Sequence, residues 1–200
     1  MTGKTHWVVG ITTALCVLQP TNLKEWGIGV GAAMVGSVIS DIDVHSSHSQ
    51  KILNWVTKIA VVAALVLAIV EYKFHIGILQ AFSEEDGIFR VFVGLFAFLL
   101  MCIVGKNSPH RSFTHSFLGW AILSGIVYFI SPLAAPYFAV AMLSHILLDL
   151  LNRRKVRLLY PLKKGVCFSV CKSDGVINQL LLNVGTAAFL FVSVFLLAIK

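Results

Sequence analysis

Charge is scarce in this chain. Only 12% of its 200 residues are Asp, Glu, Lys or Arg, against 58% hydrophobic residues, and the mean hydropathy is +0.86. An ordinary soluble domain carries about 25% charged residues. The shortage excludes that class and points to an integral membrane protein. Acidic residues are the rarer sign, nine against sixteen Lys and Arg. The net charge of +7 does not point to nucleic acid, because the basic residues gather in loops beside apolar runs, where topology and anionic lipid account for them. No nucleic-acid partner is expected. Cysteine is sparse too. Cys16 and Cys102 fall in apolar runs as small fillers, and Cys167 and Cys171 lack the second ligand pair that a structural zinc needs. The opening residues lack a signal-peptide cleavage site, so the first apolar run is expected to be retained. There is no lipidation motif, internal repeat or low-complexity segment.

What the chain has in abundance is long apolar runs, seven of them, over residues 6–18, 23–40, 52–70, 88–104, 113–130, 132–151 and 178–199. The first, capped by Thr5, is on the order of 20 Å long as a helix and falls short of the ~30 Å hydrocarbon core. Asn22 and Glu25 have capping-box spacing for the second. Its Gly27, Gly29, Gly31, Ala32, Ala33 and Gly36 allow close backbone approach, which predicts an inner helix. Pro109 breaks the chain before the fifth run, where Ser112 is expected to cap a helix over 113–130 with His115 in its first turns. Pro132 is expected to start the sixth. The predicted fold is all-α, a polytopic membrane bundle of about five to seven apolar helices in one domain over 1–200.

If each run crosses once, their ends alternate between two faces. One face carries 11 basic residues, from Lys4 to Lys172, and the other has Lys24, Lys73, Arg90 and Lys200. The positive-inside bias makes the first face cytoplasmic. His6, Asp41, Asp43, His110, His115, His145 and Asp149 all fall on that face, and the count of spans does not require it. His145 and Asp149 stand four apart on one helix face, positioned to share an ion. Carboxylates at the membrane edge are costly and mark function.

Four histidines and three carboxylates suit a divalent metal, zinc before manganese, and exceed what one tetrahedral ion needs, so two ions bridged by a carboxylate fit. Asp43, Asp149 and Arg111 are the candidate catalytic residues. Arg111 is expected either to grip a phosphate bidentately or to serve as a topological charge at the interface. His45 and His48 are read as solvated or headgroup contacts. The serines around the histidines are read as caps and hydrogen-bond partners, since no acyl-transfer arrangement is evident. A metal-binding transporter is the rival reading, but it needs polar groups through the midplane, and the middles of these runs are nearly bare.

Thr5-His6, Asp41-Ile42-Asp43, His110-Arg111-Ser112-Phe113-Thr114-His115-Ser116, and Ser144-His145-Ile146-Leu147-Leu148-Asp149 followed by Leu158-Leu159-Tyr160-Pro161 resemble the YdjM-type membrane-bound metal-dependent hydrolases over about residues 5–162. The run at 178–199 is then an additional C-terminal membrane helix. The resemblance implies a multi-pass bacterial inner-membrane protein, a helical metal site, and a distant similarity to zinc-dependent phospholipase C. Its expected partners are the lipid bilayer and a phospholipid or other phosphate-ester substrate, hydrolysed through metal-activated water. The alternatives are the transporter and a non-catalytic membrane protein. Two positions depart from the family's pattern: Ser40 stands where proline is common, and Asn152-Arg153-Arg154 replaces a threonine followed by glycine.

Overall fold

The computed structural model describes residues 1–44, 51–52, 54–59, 73, 86–172 and 175–199. Among these the chain is an all-helical membrane bundle. Its elements are α1 (Gly3–Leu18), α2 (Leu23–Ile39), a 3-10 turn (Ser40–Asp43), α3 (Asp86–Asn107), a second 3-10 turn (Phe113–His115), α4 (Phe117–Ile130), α5 (Ala135–Leu150) and α6 (Val176–Ile199). The predicted run at 52–70 and the polar stretch 71–87 lie largely outside the described residues, although 54–59 are helical. Among the described residues, two helices contain segments long and apolar enough to cross a membrane, Phe89–Asn107 and Val176–Leu196. At 16 residues, α1 spans about 24 Å, short of the core as its sequence predicts.

α5 is the central helix, packed by α1, α2 and α4, while α6 lies along α1 and α3 along α4. The small-residue face of α2 is what admits this. A Cβ added at Gly36 would collide with the Phe138 carbonyl of α5, and one at Gly29 would meet the Tyr137 ring at 2.7 Å. Lipid supplies no hydrophobic drive for helices to associate, so van der Waals contact of this kind is what holds them together. Gly27 and Gly31 have open space beside them. Two apolar clusters flank α5, one around Leu15, Ala33, Tyr137 and Ala141, the other around Ile42, Leu123, Phe138 and Met142.

Helix starts differ from the sequence expectation in three places. α1 begins at Gly3 with Thr2 before it, and Thr5 donates instead to Asn178 Oδ1 of α6 at 2.8 Å. The capping residue of α4 is Ser116, not Ser112: the Ser116 hydroxyl accepts from the Gly119 N–H at 3.0 Å. The cause is tertiary. Gly119 lets the Phe113 carbonyl come so close that a Cβ there would clash, and Phe117 N–H donates to Leu158 O at 2.9 Å, so residues 113–115 fold back as a 3-10 turn. Ser112 donates to the Pro109 carbonyl. Lastly, α5 starts at Ala135 because Ser131 O accepts the Ala134 and Ala135 N–H groups in a turn first, and Pro136 then presets the helical φ.

Candidate metal centre

Four segments bring their polar residues to one end of the bundle. His6 lies in the first turn of α1, and Asp41 and Asp43 in the 3-10 turn that closes α2. His110, Arg111 and His115 come from the stretch between α3 and α4, and His145 and Asp149 from the last two turns of α5. His6, His115, His145 and Asp149 are at most 2% exposed. Among the described residues, two groups have ligand atoms that all lie within 4.8 Å of one another: His6, His145 and Asp149, and Asp41, His115 and His145. His145 belongs to both.

The close-packed α2–α5 interface sets the tautomer of His145. Its Nδ1 lies 2.6 Å from the Ser37 carbonyl oxygen. A carbonyl only accepts, so Nδ1 carries the proton and Nε2 keeps its lone pair. This is the usual arrangement of a metal-ligating histidine, whose far nitrogen donates to a backbone or carboxylate oxygen. His145 Nε2 sits 3.6 Å from Asp41 Oδ1, and its ring stacks on His6 at 3.8 Å between centroids.

Asp149 is the hub. Its Oδ1 is 3.3 Å from His6 Nε2 and accepts from Asn152 Nδ2 at 2.9 Å, while its Oδ2 is 3.3 Å from His115 Nε2 and 2.8 Å from Arg111 Nη2. The 3.3 Å approach of His115 Nε2 lacks hydrogen-bond alignment, so we read it as charge attraction. Three buried imidazole nitrogens have no hydrogen-bond partner among the described residues: His6 Nδ1, His115 Nε2 and His145 Nε2. Buried polar atoms normally have partners. Two of the three, His115 Nε2 and His145 Nε2, face carboxylates, of Asp149 and Asp41, as the donors of a divalent-ion site do. A tetrahedral zinc with bonds near 2.0 Å separates its ligand atoms by roughly 3.3 Å, close to the contacts present. The donor set therefore fits a metal ion.

Asp43 and His110 stand one layer out. Asp43 Oδ1 is 2.9 Å from His110 Nδ1, and its Oδ2 accepts from the Arg111 N–H at 2.8 Å and Thr114 Oγ1 at 3.2 Å, with His115 Nδ1 at 3.6 Å. Burial raises the carboxyl pKa of Asp43, but the contacts from His110 and His115 and the Arg111 N–H outweigh it and hold it below the usual carboxylate range. For His115, burial disfavours the charged ring, yet the carboxylates of Asp149 and Asp43 facing its two nitrogens win and raise it to about 9. These directions describe the metal-free protein.

Arg111 adopts φ 58°, the left-handed region that a non-glycine residue rarely enters. Its surroundings enforce that backbone: the N–H donates to Asp43, and the carbonyl accepts from Arg157 N at 3.0 Å. The guanidinium bonds to Asp149 and, through Nη1, to Arg154 O at 2.9 Å, leaving its buried Nε without a hydrogen-bond partner among the described residues. A cleft of about 680 Å³, lined in part by Asp43, Lys106, His110 and Arg154, opens beside the His110–Asp43 pair.

Of the seven metal candidates read from the sequence, the structure gathers His6, Asp41, His115, His145 and Asp149 into the two groups. It sets Asp43 and His110 beside them, paired with each other. His45 and His48 fall outside the described residues. Sequence reasoning missed Asn152, 1% exposed and bonded to Asp149, although its position three residues after Asp149 was a usable signal. It also missed the Ser37 carbonyl, for which a backbone acceptor leaves no sequence signature. A family model described as YdjM inner membrane protein matches residues 1–200. Neither the curated proteins nor the solved structures yield a match.

Proposed function

The chain belongs to the YdjM inner membrane protein family, and from that premise we propose that it is a metal-dependent hydrolase of phosphate esters, phospholipids among them. The observation that carries this reading is the pair of buried imidazole nitrogens without hydrogen-bond partners among the described residues, His115 Nε2 and His145 Nε2, that face Asp149 and Asp41. His145, through its one free nitrogen Nε2, would join either His6 and Asp149 or Asp41 and His115 about an ion, with zinc preferred over manganese for this nitrogen-rich set. When bound, a divalent ion supplies Lewis-acid polarisation of a phosphoryl group and makes water more acidic.

The chain's own residues do the rest. Asp43 orients His115 and His110 and fixes the strained Arg111 backbone. Arg111 places a guanidinium beside Asp149, and its unpartnered Nε–H is ready for an anionic oxygen such as that of a phosphate. Lys106 and Arg154 give the adjoining cleft positive charge where such a group enters. The donors gather at one end of the helices rather than along a transmembrane path, which favours hydrolysis over transport. The basic loops at that end support a cytoplasmic orientation for it in a multi-pass protein.

The test is turnover of a chromogenic phosphodiester and of phospholipid in vesicles, with zinc or manganese supplied. The wild type should hydrolyse at least one of these, and His115→Ala and Asp149→Ala should each lose at least ~100-fold in turnover. Full activity in either variant would overturn the assignment.

A further inference from the structure

Between α5 and α6 the chain from Arg153 to Lys172 carries seven basic residues and no acidic one. It is an ordered element, pinned to the end of α5. Val156 and Val166 exchange N–H···O bonds at 2.8 and 2.9 Å, the Phe168 N–H donates to Leu150 O at 2.7 Å, and the Val170 N–H donates to Leu151 O at 2.9 Å. Val156 and Cys171 point inward and are buried. Leu159, Leu162, Val166, Phe168 and Val170 point outward, with Phe168 63% exposed. Five large apolar side chains held outward by a pinned backbone, interleaved with lysine and arginine, are not a solvated loop surface.

We propose that residues 153–172 form an interfacial hairpin that seats its apolar side chains among the acyl-chain ends of the protein's own membrane and binds anionic phospholipid headgroups with its basic ones. Position argues for this occupant. The segment leaves α5 at Leu150 and re-enters the apolar α6 at Val176, so both of its ends lie where helices meet the bilayer surface. Charge argues for it as well, since an all-positive segment complements the negative surface potential of an anionic leaflet. The mixture of basic and large apolar residues is that of segments that lie in the interface plane. The hairpin also touches the metal centre: the Arg154 carbonyl and the Arg157 N–H hold Arg111. The proposal does not depend on the metal or on catalysis.

The test uses the full chain with Phe168→Trp, reconstituted in vesicles of phosphatidylcholine alone or mixed with phosphatidylglycerol, with the emission of the four native tryptophans subtracted using wild type. In the mixed vesicles the added indole should emit at shorter wavelength, be quenched by bromine on the acyl chains, and be shielded from iodide. Adding Lys163→Glu and Lys164→Glu should raise iodide quenching roughly threefold or more. Leu180→Trp, on the outward face of α6, should be bromine-quenched in both vesicle types and confirms that the bundle is reconstituted. An indole at 168 open to iodide in both lipids would overturn the insertion. Equal shielding with and without phosphatidylglycerol would overturn the headgroup binding, as would shielding that appears only on adding a soluble acidic protein.

Discussion

His145 Nδ1 sits 2.6 Å from the Ser37 carbonyl oxygen, so a backbone atom of α2 decides which nitrogen of an α5 histidine faces the His/Asp cluster. That bond exists only because α2 and α5 approach closely at Gly36. Gly36→Ala should push the helices apart at the Phe138 carbonyl, costing about 1–3 kcal/mol in stability and loosening the Ser37–His145 bond. Thermal unfolding of the detergent-solubilised variant and its zinc affinity, measured by chelator competition, should both fall. A variant with wild-type affinity would separate the interface from the centre.

Asn152 is expected to matter through Asp149. Its Nδ2 holds the Asp149 Oδ1 that faces His6, and loss of a partner that orients a ligand typically lowers metal affinity 10–100-fold. Asn152→Ala should therefore bind zinc in that range more weakly while keeping its helical content by circular dichroism. Unchanged affinity would mean that the α5 helix alone fixes the carboxylate.

Metal binding should release protons. In the metal-free protein His115 titrates near 9, so at pH 7 its ring is charged and a metal must displace a proton to use it. Affinity should rise about tenfold per pH unit between 7 and 9. Calorimetry in buffers of different ionisation enthalpy should report about one proton released at pH 7 as an ion takes His115 as ligand. No proton release would contradict a ligand role for His115.

The same shifts fix the sign of the metal-free protein's stability against pH. His115, raised above its ordinary 6.5, contributes stability that is full below about 6.5 and is lost as pH rises through about 9. Asp43 is depressed below 3.8, so its contribution is present above about 4 and is lost as pH falls below that. Chelator-treated protein should accordingly be most stable between about pH 4 and 6.5 as far as these two groups act, and Asp43→Asn should flatten the acid side. An acid limb unchanged in that variant would contradict the assignment.

Much of the centre was legible in the sequence because its signals are local. The four-residue step from His145 to Asp149 survives any helical packing, Asp41-x-Asp43 marks a helix end, and the glycines of α2 announce an inner helix. The start of α4 was not legible, because Ser112 and Ser116 are both good capping residues one turn apart. Contacts distant in sequence, Gly119 against the Phe113 carbonyl and Phe117 N–H to Leu158 O, decide between them. For the same reason His115 sits in a 3-10 turn before the helix, where its two nitrogens face two different carboxylates. The outward side chains of the 153–172 hairpin were hidden too. Its basic charge is plain in the sequence, but which of its apolar residues face out depends on the bridge between Val156 and Val166.

The central claim is that these side chains form a metal centre, and His145 is the residue common to both donor groups. The most direct measurement is metal content by mass spectrometry of protein purified in detergent, wild type beside His145→Ala. The wild type should carry roughly one to two equivalents of zinc or manganese, and the variant should fall to background while remaining folded. Wild-type protein with no metal above background after reconstitution, or a variant with undiminished content, would contradict it.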